Sequence, residues 1–163
     1  AITPGGLCNY LDSLLAGKKV YCLAGGIGTG EEKILDRITA AALARGLDTE
    51  VYCCALKPDR PEHLIIPALN AAFTTDNPYH SATAERYKSF DMYEFMDSSV
   101  ISSQRADLEQ NREEFERLLS AAVGTLKRAK ALHDRLEAFY VPNIRFSEID
   151  CLLEKILREI LKE

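Results

Sequence analysis

Residues 18–46 constrain the fold more than any other stretch. "KKVYCLAG", 18–25, is a compact apolar run after two lysines, the composition of a strand buried on both faces. "GGIGTG", 25–30, then supplies Gly25, Gly26, Gly28 and Gly30, enough backbone freedom for a tight reversal. "EEKILDRITAAALARG" follows, with Ile34, Leu35, Ile38, Ala41, Ala42 and Leu43 on one stripe and Gly46 as the stop, an amphipathic helix. Strand, glycine turn and helix in that order set up an α/β layer. "DTEVYCCAL", 48–56, reads as a second strand closed by Pro58. "HLIIPALNAAFTTD" holds a third over Asn70 to Thr75, with Pro67 excluding the earlier half from a central strand. Parallel pairing is expected. Ahead of all this, Asn9 to Leu15 reads as a short helix stopped by Gly17.

The glycine turn has the spacing of a phosphate-binding loop, G-x-x-x-x-G-K-[ST]. In such loops the backbone N–H groups point inward, and the following helix adds its positive end. Gly25 and Gly30 match, together with Gly26, Ile27, Gly28 and Thr29 between them. The residues that do chemistry do not match, because Glu31 and Glu32 stand where Lys and Ser/Thr belong. Lys33 is no substitute: two residues on, it is rotated by about 200° around the helix. Acidic side chains in a first helical turn complement the free N–H groups there, so both glutamates have a structural use. They would fill the anion position from within. A bare strand-to-helix turn is the competing reading.

After residue 76 the chain is polar and irregular, with at most a helical turn around Met92 to Met96. From Gln104 it becomes regular. Leu108, Arg112, Phe115, Leu119, Ala122, Leu126, Ala129, His133, Leu136 and Tyr140 alternate steps of four and three, a heptad seam. The pattern predicts one long helix over 104–140, with Gly124 its weak point and Pro142 its end. Ser147 and Asp150 then suit a capping box, and Ile149, Leu152, Leu153, Ile156, Leu157, Ile160 and Leu161 line a second helix over 147–162. The short link between the two predicts an antiparallel helical hairpin. Residues 1–100 thus read as an α/β domain and 101–163 as a helical extension packed on it or projecting from it. The long arm outreaches the short one, so the rest of its seam needs cover from the α/β body or another chain.

Composition narrows the function classes. Net charge is −5; residues 1–100 carry 9 basic and 13 acidic side chains, and residues 101–163 carry 11 and 12. Neither part is basic, which argues against nucleic acid as a partner. No apolar run approaches the roughly 18 residues of a membrane-spanning helix. Cys8, Cys22, Cys53, Cys54 and Cys151 form no C-x-x-C pair, and reduced thiols in a cytoplasmic protein are the expectation. A redox role for the neighbours Cys53 and Cys54 is the alternative. The chain opens on Ala1 in "AITPGG", which reads like a piece of a longer protein.

"AITPGG" at 1–6, "GGIGTGEE" at 25–32, "ALARGLDTEVYCC" at 42–54, "HLIIPALN" at 63–70, "DMYEF" at 91–95 and "KALHDRLE" at 130–137 together resemble one group. It is an uncharacterised family of bacterial two-repeat P-loop ATPase-like proteins, found mostly in spore-forming and related bacteria. The resemblance covers nearly the whole chain and is to the C-terminal repeat. It implies a P-loop NTPase-type parallel sheet of few strands, followed by the helical hairpin. Its N-terminal repeat, or a second copy, would be the partner, and ATP with magnesium would belong to the full-length protein. The departures are Ile27 for the loop proline, Glu31 for the lysine, Glu32 for the Ser/Thr and Cys53 for a histidine. The family's third strand tends to end in an acidic magnesium-organising residue, matched here by Thr75 or, shifted by one, Asp76.

His63, His80 and His133 are far apart and make no metal-ligand spacing with one another. His80 could face the glycine loop, since ligands of open α/β sheets sit beyond the carboxyl ends of the strands. His133 lies on the heptad seam as a polar register residue. Asp91 and Glu94 read as helix-surface charges, and no nucleophile–base pair stands out. No catalytic residue and no metal ligand is therefore assigned. The expectation is a degenerate nucleotide-binding repeat, without ATP hydrolysis of its own, that supports or regulates an intact repeat of the same polypeptide. Two alternatives are a nucleotide-binding domain completed by the other repeat, and a helical interaction module on a P-loop platform.

Overall fold

The computed structural model describes residues 1–26 and 28–161. The chain opens on two short strands, β1 (Ile2–Thr3) and β2 (Gly6–Leu7), paired with each other, and a helix α1 (Leu11–Leu15). Strand β3 (Lys19–Ala24) and helix α2 (Glu31–Leu43) flank the glycine loop. β4 (Glu50–Cys53), β5 (Pro61–Ile66), β6 (Ala71–Asp76) and β7 (Arg86–Asp91) follow. Three helices close the chain: α3 (Ser98–Ser103), α4 (Arg105–Tyr140) and α5 (Phe146–Leu161).

The five longer strands form one sheet in the order β4-β5-β6-β3-β7. It is mixed, which corrects the parallel sheet expected from sequence. β3 runs parallel to both β6 and β7, whereas β4–β5 and β5–β6 are antiparallel. The source of the difference is Pro67. Proline lacks a ladder donor only at its own position, and here it starts a 3-10 turn, Pro67–Leu69, completed by Asn70 at φ 46°. The residues before it are free to pair, so β5 and β6 make a hairpin with Ile66 opposite Ala71. His63 to Ile66 are all buried in a central strand, the role that Pro67 was expected to forbid. β7 lies in the stretch read as irregular. All six of its residues are exposed, so it carries no hydrophobic alternation to read.

Side-chain alternation gives the sheet two apolar faces. Leu23, Leu64 and Ile66 meet Leu35 and Ala42 of α2, with Met92 closing the same cluster. Val20, Ile65 and Ala72 meet Leu11 and Leu15 of α1 on the other face. Leu15, Leu35, Leu64 and Ala72 are essentially inaccessible, each contributing roughly 1–3 kcal/mol by removal of its apolar surface from water, least for the alanine.

α4 forms as the seam predicts and runs unbroken past Gly124. Its middle docks on the body: Phe115 meets Tyr79 edge to face at 4.8 Å, Glu116 accepts a hydrogen bond from the Tyr79 hydroxyl at 3.1 Å, and the helix lies against β1. Phe115, Leu119, Ala122 and Val123 are half-buried there. Leu108 on one side and Leu126, Leu132 and Leu136 on the other stay exposed. α5 begins and ends near the expected limits, but no described residue of 146–161 is buried. A packed antiparallel hairpin is therefore not made: Ile149, Leu152, Leu153, Ile156 and Leu157 keep between 40% and 56% of their surface in solvent. Sequence showed an apolar face and a short link; neither specifies what the face lies on. Among the described residues no helix is long and apolar enough to cross a membrane.

Gly124 sits within α4, and a Cβ there would meet nothing nearer than the tip of Arg128 at 4.0 Å. Gly124→Ala is therefore expected to stabilise the protein by about 1 kcal/mol, read as a melting temperature raised by about 2–4 °C. An unchanged or lower value would mean that the helix is not continuous through this point.

Candidate functional site

The register of β3 on β6 aligns Leu23 with Thr75 and Ala24 with Asp76. The Gly25 N–H continues the ladder by donating to the Asp76 carbonyl at 3.0 Å. The glycine loop thus leaves the sheet beside the carboxyl end of β6, where open α/β sheets bind ligands. The Thr29 N–H and hydroxyl both donate to the Gly26 carbonyl, at 3.2 and 2.9 Å, closing a turn. Gly28 and Gly30 take φ of 94° and 89°, values that glycine adopts without strain, and Gly30 caps α2. Ile27 lies outside the described residues.

The glycines of the loop are closely packed by Thr29, by Glu31 at the start of α2 and by Tyr93 from the turn after β7. A Cβ on Gly25 would collide with the Thr29 hydroxyl and would lie 2.5 Å from Glu31 Oε1. A Cβ on Gly26 would lie 2.5 Å from the Tyr93 hydroxyl. Glu31 is 3% exposed, and its Oε2 has no hydrogen-bond partner among the described residues. Arg60 stands 3.7 Å from that oxygen and donates to Glu32 Oε2 at 3.0 Å. The Glu31 carboxylate therefore occupies the first turn of α2, where an anion is favoured by the helix end, and Arg60 is its counter-charge.

A cavity of about 180 Å³ opens next to this pair, with Thr75, His80, Glu62, Lys57 and, from α4, Phe115 in its wall. Cavities that take drug-sized ligands run to roughly 300–1,000 Å³. The two candidates for the strand-end position separate cleanly. Thr75 lines the cavity, while Asp76 alternates to the other face and is held by Arg86 at 2.6 Å. The end of β6 thus turns a hydroxyl, and not its carboxylate, toward the loop.

His80 comes to the loop's edge, as its place after β6 suggested, and shares the cavity with Gly26 and Glu31. A tight turn brings it there: Asn77 and His80 exchange backbone hydrogen bonds at 3.0 and 3.2 Å, and the Asn77 carboxamide oxygen accepts from the Tyr79 N–H. Its Nε2 lies 2.8 Å from Thr75 Oγ1. His63, not singled out as a site residue, meets it: the two rings are 5.3 Å apart and nearly perpendicular. Sequence reasoning missed this pair because the hairpin register, which sets His63 opposite Thr74, is invisible at a separation of 17 residues. Glu62, His63 and His80 bring one ligand atom each to within 4.8 Å of one another. His133 stays on the exposed seam, 3.5 Å from Glu137. The five cysteines are all free thiols.

Burial first, and the neighbouring His80 second, push His63 from its ordinary 6.5 down to about 4. It is neutral at physiological pH. Since the folded value lies below the unfolded one, the associated stability is fully present above pH 6.5 and is lost as pH falls toward 4. Between pH 7.5 and pH 5 this group should remove about 2 kcal/mol. Urea unfolding at the two values, with chelator present, checks it: the loss should shrink by that amount in His63→Gln. An equal loss in both proteins would assign the pH dependence to other groups.

Comparison of the chain with family models, curated proteins and solved structures finds no match, so the site is read from its residues and geometry.

Proposed function

We propose that this chain is a degenerate P-loop-type repeat that does not hydrolyse ATP and that supports or regulates an intact ATPase repeat of the same polypeptide. One observation supports the reading: the Glu31 carboxylate lies buried in the first turn of α2, with Arg60 3.7 Å away. Strand, glycine loop and helix supply the cradle. The lysine that would bridge phosphates and the hydroxyl that would hold magnesium are absent from their positions, and Asp76, the carboxylate at the end of β6, is engaged with Arg86 on the other face.

Magnitudes favour an empty cradle. At about 4 Å and an effective dielectric near 20, one pair of unit charges is worth roughly 4 kcal/mol. A glutamate in place of lysine loses an attraction of that order and adds a repulsion, so even a net loss of about 4 kcal/mol costs roughly three decades of affinity. Micromolar ATP binding becomes millimolar. The partner is the other repeat or a second copy, in a cytoplasmic setting consistent with the free thiols.

The interaction-module reading draws on a separate observation, the exposed apolar stripe of α5 with the bare ends of the α4 seam. In that reading the arm docks a partner and the α/β body is its platform.

Calorimetric titration of ATP, ADP and GTP, with and without magnesium, tests the leading reading. The unmodified chain should show no binding below millimolar concentration, and Glu31→Lys with Glu32→Ser should acquire measurable Mg·ATP affinity. Tight ATP binding by the unmodified chain would overturn the proposal. Failure of the double variant, folded by circular dichroism, would leave the interaction module as the better account.

A further inference from the structure

We propose that Glu62, His63 and His80 form a binding site for one divalent transition-metal ion of the zinc class. The site adjoins the glycine loop through His80 but does not rest on the nucleotide reading. Two imidazoles and a carboxylate offer ligand atoms that all lie within 4.8 Å of one another. Around a tetrahedral ion with bonds of about 2.0–2.1 Å, neighbouring ligand atoms sit roughly 3.3 Å apart. Closing the difference falls to Glu62 and His80, which are only half-buried, while His63 is buried and fixed.

The surroundings of both rings suit ligation. His63 Nδ1 is 2.9 Å from Thr74 Oγ1, and the Thr74 hydroxyl donates to the Thr75 carbonyl at 3.2 Å. A hydroxyl has one hydrogen. With that hydrogen on the carbonyl, Thr74 accepts from His63 Nδ1–H, and the lone pair resides on Nε2. His80 Nε2 lies 2.8 Å from Thr75 Oγ1 and 3.5 Å from the Asn77 carboxamide nitrogen; in the tautomer that donates from Nε2 to Thr75, the His80 lone pair resides on Nδ1. Each ring therefore has one nitrogen anchored on a threonine, and the other makes no hydrogen bond among the described residues. Metal-bound histidines are normally fixed in this way through the nitrogen that does not bind.

The chemistry of the donor set selects the ion. Two imidazole nitrogens and one carboxylate suit zinc, cobalt, nickel or ferrous iron; magnesium and calcium prefer all-oxygen shells. Three protein ligands leave a coordination position open, the pattern of a reactive rather than a purely structural site. Glu62 and His80 also line the cavity shared with Glu31, Glu32, Lys57 and Arg60, so the open position faces a small polar cavity in which Arg60 is already paired with the two glutamates. A second grouping of this kind among the described residues, His133, Asp134 and Glu137, is exposed on α4, with Lys130 bonded to Asp134, and serves as the control.

Titration of the whole, thiol-reduced, chelator-stripped chain with Co²⁺ tests the assignment, followed by displacement with Zn²⁺. One equivalent should bind, with visible bands of low-coordinate cobalt and no thiolate charge-transfer band. His80→Ala and Glu62→Gln should each weaken binding at least about tenfold, and His133→Ala should leave it unchanged. His63→Ala removes a buried side chain, so the two half-buried positions decide the test. Absence of binding, affinity indifferent to Glu62 and His80, loss on changing His133, or a thiolate band pointing to Cys53 and Cys54 would each overturn the proposal.

Discussion

The pairing of β3 with β6 is the contact on which the rest of the site depends. It sets Leu23 beside Thr75 and Ala24 beside Asp76, and the Gly25 N–H extends it by one more bond. Because the two strands are parallel, both end at the same edge. The glycine loop, the start of α2 and the turn to His80 are thereby collected without any long-range element having to reach across. The antiparallel β5, paired on the far side of β6, then delivers its first residues to that edge. Glu62 and His63 arrive where His80 already is. Mixed strand direction is what brings a strand's beginning and another's end together.

Charge at this edge is organised around burial. A carboxylate as sheltered as that of Glu31 needs compensation, since removing one member of a buried pair costs several kcal/mol. Arg60 provides it from the turn before β5, and at 24% exposure it also reaches water. Glu32 shares the same guanidinium at 3.0 Å. The helix end, the arginine and two glutamates form a closed electrostatic set, which leaves little for an incoming anion to gain. The imidazole pair nearby is the opposite case, two basic groups that repel when charged and gain from a shared cation.

Local chemistry was legible in the sequence, and register was not. The strand–glycine–helix unit, the continuous α4 and the turn at Pro142 are each written in neighbouring residues, and each stands where its pattern put it. The β5–β6 hairpin was hidden by Pro67, whose prohibition extends only to its own N–H. β7 was hidden because an exposed edge strand has no apolar face to alternate. Choosing between Thr75 and Asp76 needed the sheet's facing, since a shift of one residue along a strand exchanges its two sides. His63 and His80 met only through tertiary pairing. The apolar stripe of α5 was visible throughout, yet a stripe states only that something must cover it.

α4 also has a mechanical consequence. Phe115, Leu119, Ala122 and Val123 hold the helix on the body, and beyond Val123 it runs about 26 Å to Tyr140 as a single rod at 1.5 Å of rise per residue. Any load on the far end therefore acts on those docked turns through a lever arm of that length.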